Sequence, residues 1–161
     1  MCYAVICFRN DFRNVGGFTV SKVFSQEHYE QDDWAKYQII EWLQNKGYNA
    51  WVNPNQFGID VLATRWGKRF AFEVEVKHNW RGKYFPFEQV HFSARKKKFV
   101  DLDVETWFVM LNHERTHALL IDGEHILAAP IVNKDTKYSF GEAFVEVDIQ
   151  WGIFRDLKEE A

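Results

Sequence analysis

The sequence predicts an α/β fold, and three of its segments carry that prediction. Apolar residues recur at helical spacing before Gly47, as in a helix that ends at a glycine. Two apolar runs flank the turn at Arg65–Lys68, which is the pattern of a β-hairpin. The apolar segment Thr106–Asn112 is typical of a buried strand. Since the chain has 161 residues, of which 47% are hydrophobic, we expect a single domain over residues 1–161.

The other predicted elements follow in chain order. The first helix is expected to begin at a capping residue, Asp32 or Asp33, and to run to about Lys46. A second helix is predicted over Glu88–Val100. Besides the two arms of the hairpin, strands are predicted over Met1–Phe8, Gly17–Phe24, Tyr48–Val52, Thr106–Asn112, His117–Ile121, Ile126–Val132 and Ala143–Ile149.

The sequence gives no sign of a membrane or secreted protein. No apolar run approaches the roughly eighteen residues of a membrane helix, and the N-terminus lacks the basic region of a signal peptide. Cys2 and Cys7 fall on opposite faces of one predicted strand, so a disulfide between them is geometrically poor. We therefore expect a cytoplasmic protein with no membrane partner.

One face of the predicted hairpin collects charged residues. With Trp66–Gly67 as the central turn residues, Asp60 lies opposite Glu73. Opposite residues of an antiparallel pair point to the same face, so Asp60 and Glu73 share one. Strand alternation places Glu75 and Lys77 on the same face. The opposite face is apolar and can enter a core; it consists of Ile59, Val61, Ala63, Phe70, Phe72, Val74 and Val76. Three carboxylates this close repel one another unless a cation lies between them.

This charged face predicts a site for a hard metal ion. Mg²⁺ prefers oxygen ligands and often uses one or two protein carboxylates together with a substrate phosphate. Asp60 and Glu75 are the predicted ligands, the Val76 carbonyl is a third candidate, and Glu73 is a candidate for a second ion. Lys77 is expected to orient or deprotonate the attacking water, or to neutralise phosphate charge. The competing interpretation is a solvated strand face with ordinary Glu–Lys pairs, which the Glu-x-Lys pattern alone would favour.

The whole pattern resembles the PD-(D/E)xK nuclease superfamily, whose fold is called restriction-endonuclease-like. The family motif has an Asp on one strand, then Glu or Asp, any residue and Lys on the next. Here Ile59-Asp60 and Glu75-Val76-Lys77 match it, with Ile59 where the motif has Pro, and the resemblance covers roughly residues 30–112. Many members also carry an acid on the first helix. Here that acid would be Asp33, Asp32 or Glu30, and Lys36 stands where an acid is expected.

The resemblance implies a mixed central sheet flanked by helices, an αβββαβ core with additional N- and C-terminal strands. It implies a metal-dependent endodeoxyribonuclease that uses one or two Mg²⁺ or Mn²⁺ ions to hydrolyse phosphodiester bonds. Asp60, Glu75 and Lys77 would be catalytic, and Asp60, Glu75 and Glu73 would bind metal. DNA is the expected partner. Small nucleases of this fold often act as homodimers, and the sequence leaves the oligomeric state of this chain open. The alternative is a catalytically inactive nucleic-acid-binding or regulatory domain on the same fold, against which the complete Asp, Glu and Lys set argues.

The basic residues are also unevenly placed. A net charge of −3 argues against a protein that coats nucleic acid nonspecifically, but many of the cations fall between Lys77 and Lys98. The predicted helix over Glu88–Val100 carries the expected contacts to nucleic acid, which are Gln89, Arg95, Lys96 and Lys97. The competing interpretation of this basic run is a solvated helix face.

A second motif points to different chemistry. Residues His113–His117 match H-E-x-x-H, which binds zinc in peptidases when both histidines share one face of a helix. Here the flanking segments are predicted strands, so the five residues should form a hairpin turn instead. The sequence therefore does not favour a zinc peptidase.

Overall fold

The computed structural model of the protein describes residues 26–101, 103–137 and 139–158, with side chains from residue 33 onward. The predicted strands Met1–Phe8 and Gly17–Phe24, with Cys2 and Cys7, lie outside the described residues, as do the side chains of Glu30 and Asp32. None of the described helices is long and apolar enough to cross a membrane.

The described elements are two α-helices, nine strands and two short 3-10 helices. In chain order they are α1 Gln26–Asn45, β1 Asn49–Val52, β2 Val61–Arg65, β3 Lys68–Lys77, β4 Gln89–Ser93, a 3-10 helix Ala94–Phe99, β5 Glu105–Asn112, β6 His117–Asp122, α2 Gly123–Ala128, β7 Ile131–Lys134, β8 Glu142–Asp148, a 3-10 helix Ile149–Trp151 and β9 Gly152–Asp156.

These strands form two sheets. Within the described residues, sheet A has the order β1-β2-β3-β5-β6-β9, and sheet B has the order β4-β8-β7. Strands β3 and β5 run parallel, and every other neighbouring pair in both sheets is antiparallel. Sheet A is therefore mixed, as expected, because a connection of 27 residues from Lys77 to Glu105 is long enough for a parallel crossover.

The hairpin of β2 and β3 forms with the predicted turn and register. Trp66 and Gly67 have φ of 50° and 75°, and positive φ at both central residues is the signature of a tight two-residue turn that matches strand twist. Arg65 pairs with Lys68, and the ladder continues to Val61, which pairs with Phe72. One further step brings Asp60 opposite Glu73.

Both faces of sheet A are covered. Helix α1 packs on one face, where Ile39 and Leu43 meet the apolar side chains of the hairpin, such as Val61 and Phe72. This confirms the predicted core face of both elements. Sheet B and α2 cover part of the other face, where Phe92, Phe108, Met110, Leu119, Ile126 and Val145 form a second apolar cluster. Glu73, Glu75 and Lys77 point toward the sheet B side, since they alternate with residues of the first cluster.

The predicted helix over Glu88–Val100 is wrong. Residues Gln89–Ser93 form strand β4, which pairs with β8, and Ala94–Phe99 form a 3-10 helix. Val90 and Phe92 are buried whereas His91 between them is not, so the burial follows a strand period of two. The helical assignment fails because β8, about fifty residues away in sequence, supplies the backbone partners of this strand.

Two other predicted boundaries are wrong. Helix α1 begins at Gln26, before the predicted caps, so Asp33 lies inside the helix. The segment predicted as one strand, Ile126–Val132, is divided between α2 and β7. Asp122 caps α2, since its Oδ1 accepts a hydrogen bond of 2.6 Å from the Glu124 N–H. The predicted strands at Tyr48–Val52, Thr106–Asn112, His117–Ile121 and Ala143–Ile149 are confirmed within one residue at every end, as β1, β5, β6 and β8.

Candidate active site

The charged face of the hairpin lines a cleft. The cleft encloses about 780 Å³ between β3, the middle of α1, sheet B and the loop before β8. Its polar lining consists of Asp33, Lys36, Asp60, Glu73, Glu75, His78, His91, Ser93, Arg95, Lys96, Thr136, Ser139 and Glu142. Two of the three predicted catalytic residues, Asp60 and Glu75, therefore share one cleft with the third metal candidate, Glu73.

Asp60 is fixed against the neighbouring strand. Its Oδ2 accepts a hydrogen bond of 2.9 Å from the Val74 N–H, at the step where the backbone ladder between β2 and β3 has ended. Its Oδ1 lies 3.1 Å from Lys36 Nζ, which also lies 3.4 Å from Asp33 Oδ1. Burial alone would lower the pKa of Lys36, but the charges of Asp60 and Asp33 outweigh it and raise the pKa. Lys36 thus connects Asp33 on α1 to the acid of the motif.

Glu73 and Glu75 share one cation. Lys96, in the 3-10 helix after β4, places its Nζ 2.7 Å from Glu73 Oε1 and also pairs with Glu75 Oε1. Burial raises the pKa of Glu73 to about 7, with the charge of Lys96 opposing this shift and those of Asp60 and Glu75 adding to it. Burial would lower the pKa of Lys96, but the two glutamates outweigh it and raise the pKa. The mutual repulsion of the carboxylates is relieved in this structure by an ammonium group.

Lys77 follows these acids at the end of β3. Its Nζ lies 5.6 Å from the centre of the Phe87 ring, in the loop that follows the strand. Burial lowers the pKa of Lys77; the charge of Glu75 opposes this shift and the charge of Lys134 adds to it. A lysine with a lowered pKa is more readily neutral and can then accept a proton.

The donor set of the cleft fits a hard divalent cation. Its available ligands are carboxylate oxygens, which Mg²⁺ and Mn²⁺ prefer. Glu73 Oε2 is buried and has no hydrogen-bond partner among the described residues, so it can serve as a ligand without losing an existing contact. Within the same residues, no group of three or more His, Cys, Asp or Glu side chains is arranged to hold a metal ion. The two predicted ligands, Asp60 and Glu75, lie in the cleft and are paired with Lys36 and Lys96 respectively.

The four residues predicted to contact nucleic acid do not stay together. Arg95 and Lys96 line the cleft, although Lys96 is engaged by the two glutamates. Lys97 instead donates hydrogen bonds of 3.0 Å to the carbonyls of Leu127 and Ala129, near the end of α2. Gln89 lies in a different groove, beside His125 and Trp151 (residues of α2 and the second 3-10 helix). The separation follows from the strand at Gln89–Ser93, since a strand and a 3-10 helix direct these side chains differently from one helix face.

Sheet B supplies cleft residues that sequence reasoning missed. His91 Nε2 lies 2.8 Å from Glu146 Oε2 and 2.6 Å from Lys134 Nζ, so the three strands of sheet B are joined by one polar cluster. Hydrogen bonds from His91 and Lys134 lower the pKa of Glu146. The alternation of Val90 and Phe92 with polar neighbours is the signal that could have identified β4 and placed His91 on its polar face.

The H-E-x-x-H segment forms the predicted turn. Residues His113–Thr116 connect β5 to β6, and Arg115 has a φ of 56°. His117 begins β6, where its Nε2 lies 3.3 Å from Asp156 Oδ2, whereas the ring of His113 contacts that of His78. Since the segment is not helical, the two histidines lack the shared helix face that a zinc peptidase needs.

Comparison with known proteins bears on the fold. No family model and no curated protein sequence matches this chain. The structure is similar to that of Hjc from Archaeoglobus fulgidus, a Holliday junction resolvase from an archaeal hyperthermophile. The TM-score is 0.51 and the identity 13%, over 80% of this chain and 93% of that one. The chain therefore has a fold of the restriction-endonuclease-like class, as the sequence predicts.

Proposed function

We propose that this protein is a metal-dependent nuclease that hydrolyses phosphodiester bonds in DNA. The observation that carries the proposal is the placement of Asp60, Glu73 and Glu75 in one cleft, followed by Lys77 at the end of the same strand. The fold is shared with a Holliday junction resolvase, which supports DNA as the substrate. We further propose endonucleolytic cleavage in the cytoplasm by a homodimer with one site per DNA strand.

The cleft residues and Lys77 have separate roles in the proposed hydrolysis. Asp60 and Glu75 would hold Mg²⁺ or Mn²⁺, and a bound ion supplies positive charge that stabilises the attacking and leaving oxygens. Lys77, with its lowered pKa, takes the proton of the attacking water or orients that water. Arg95, which also lines the cleft, binds a non-bridging phosphate oxygen.

One observation favours a second function, that of an inactive nucleic-acid-binding domain. Lys36 and Lys96 already neutralise the carboxylates that the metal would need. If these ion pairs persisted in the presence of metal, the cleft would bind a phosphate backbone through Arg95 without cutting it.

Cleavage assays separate the two functions. Labelled supercoiled, linear, single-stranded and branched DNA would be incubated with the wild-type protein and with Lys77→Ala, in Mg²⁺, Mn²⁺ or EDTA. Lys68→Ala is the matched control, because Lys68 lies exposed at the opposite end of β3. A nuclease cuts at least one substrate with metal, loses cutting in Lys77→Ala and keeps it in Lys68→Ala. Binding without cleavage by the wild-type protein in every metal would instead support the inactive domain.

A further inference from the structure

A second cavity lies beside the loop that follows β3. It encloses about 500 Å³, within the range of ligand pockets, and we call it the aromatic pocket. Its walls are mainly apolar. Tyr84 and Phe85 come from the loop and Phe154 from β9, while Lys83 and Arg155 bring positive charge and Asp156 brings negative charge. Tyr84 is 82% exposed and Phe154 is 43% exposed, so aromatic surface is open to solvent here.

The aromatic pocket lies at the same end of sheet A as the catalytic motif. Lys77 pairs with Asn112 across β3 and β5, the His117 N–H donates a hydrogen bond of 3.0 Å to Asn112 Oδ1, and His117 pairs with Asp156 across β6 and β9. Residues opposite one another on neighbouring strands point to the same face. Since Asp156 and His117 line the pocket, it opens on the face that carries Glu75 and Lys77. Three strand spacings separate Lys77 from Asp156, a distance of about 14 Å.

The loop that forms the pocket is anchored in the core. Trp80 is fully buried, its carbonyl accepts a hydrogen bond of 2.7 Å from the His113 N–H, and its ring contacts Phe85 at 5.1 Å and Phe154 at 6.3 Å between centroids. Asn112 Nδ2 donates a hydrogen bond of 3.0 Å to the Gly82 carbonyl. These contacts hold Phe85 and Phe154 in place, so two of the three aromatic walls are formed before any ligand enters.

We propose that the aromatic pocket receives an unpaired base of the nucleic acid strand whose phosphodiester is bound at Glu75 and Lys77. Tyr84 and Phe154 offer faces for stacking, which accepts any base, and Lys83 attracts a neighbouring phosphate. A distance of about 14 Å corresponds to about four stacked nucleotides at 3.4 Å each. A base inside a duplex has its faces covered by its neighbours, so the pocket selects nucleic acid that carries unpaired nucleotides. This inference rests on the proposed nuclease function.

Binding to a short oligonucleotide tests the pocket independently of cleavage. A fluorescein-labelled single strand and its duplex would be titrated in EDTA with the wild-type protein, Tyr84→Ala and Phe154→Ala. Trp66→Asn is the matched control, because Trp66 is an exposed aromatic residue at the far end of β3 and Asn suits its positive φ. We expect each pocket variant to bind the single strand about five- to a hundredfold more weakly, because this is the contribution of one stacked base to affinity. The control variant should bind as the wild type does, and no variant should lose duplex binding.

A second readout distinguishes a lost base contact from a lost fold. The fluorescence of a 2-aminopurine placed about four nucleotides from one end of the strand should be quenched when the strand binds the wild-type protein, and quenched less with Tyr84→Ala. The Tyr84 side chain is mostly exposed, so its removal should leave the fold intact. Equal single-strand affinity in wild type and both pocket variants would overturn the inference, as would the absence of single-strand binding by the wild type. If the pocket variants lost single-strand affinity while the wild-type protein cut no substrate, the base-binding pocket would stand and the proposed nuclease function would fail.

Discussion

Lys96 Nζ lies 2.7 Å from Glu73 Oε1 at the centre of the candidate active site, and the same ammonium pairs with Glu75. Both side chains of the first pair are nearly buried, 17% exposed for Lys96 and 5% for Glu73. The positive charge of Lys96 therefore lies between two of the carboxylates that are proposed to bind a divalent cation. The fold of residues 89–99, which brings Lys96 to these carboxylates, should therefore affect the affinity of the proposed metal site.

Replacing Lys96 with Met should tighten metal binding. The change keeps the length of the side chain and removes the charge that competes for Glu73 and Glu75. We expect Mn²⁺ to bind about tenfold more tightly or better, because unit charges about 4 Å apart interact by roughly 4 kcal/mol near a protein surface. Calorimetric titration of the protein with Mn²⁺ measures this change. Lys97→Met is the control, since Lys97 binds the carbonyls of Leu127 and Ala129 instead. Unchanged or weaker binding in Lys96→Met would show that the lysine does not compete with the metal.

Glu73 should make the protein less stable as the pH rises toward neutrality. Its pKa is raised by burial to about 7, so the folded protein holds a proton that the unfolded chain releases above about pH 4.5. The stabilisation is therefore fully present below pH 4.5 and is lost as the pH rises through about 7. We expect a fall of the order of 1–3 kcal/mol in the free energy of unfolding over this range, in EDTA. Urea denaturation at pH 5 and pH 7.5 measures it.

Glu73→Gln supplies the comparison, because the amide does not titrate and nearly keeps the shape of the side chain. Between pH 5 and pH 7.5, the free energy of unfolding of Glu73→Gln should fall less than that of the wild type, by about 1–3 kcal/mol. An identical difference in wild type and variant would assign the pH dependence to other groups.

Asp60→Asn should abolish most catalysis while preserving the fold. The amide can still accept the hydrogen bond from the Val74 N–H, but it loses the negative charge that would hold the metal. A metal ion contributes several kcal/mol of transition-state stabilisation, so we expect kcat/KM to fall by at least about a hundredfold. Steady-state cleavage kinetics measure the loss. Asp122→Asn should retain full activity and stability, because Asn caps a helix as well as Asp does.

Arg95 and Lys97 should behave differently although both belong to the basic run Arg95–Lys98. Arg95 lines the cleft, so Arg95→Ala should reduce the slope of log affinity against log salt by about 0.9 for duplex DNA. Lys97 joins the 3-10 helix to the end of α2, so Lys97→Ala should lower the free energy of unfolding by about 1 kcal/mol and leave the slope unchanged. Filter binding at several salt concentrations and urea denaturation test the pair. Equal slopes of log affinity against log salt in the wild type and Arg95→Ala would show that Arg95 does not contact DNA.

Much of the catalytic face could be predicted from the sequence because its geometry is local. A two-residue turn at Trp66–Gly67 determines the register of the hairpin, and the period of two then determines which side chains share a face. Asp60, Glu73, Glu75 and Lys77 come together for these reasons alone. The first helix and its apolar face could likewise be predicted from the spacing of apolar residues, but the residue at which the helix begins could not.

The second wall of the cleft depended on tertiary structure. Residues Gln89–Ser93 form a strand because β8 pairs with them, and that partner lies about fifty residues further along the chain, beyond the range of any local propensity. The same pairing directs Lys96 into the acidic cluster and Lys97 away from it. The acids that share a strand face can be identified from the sequence, since turn type and alternation act between near neighbours. The cations that meet those acids cannot, because such contacts depend on how distant segments pack.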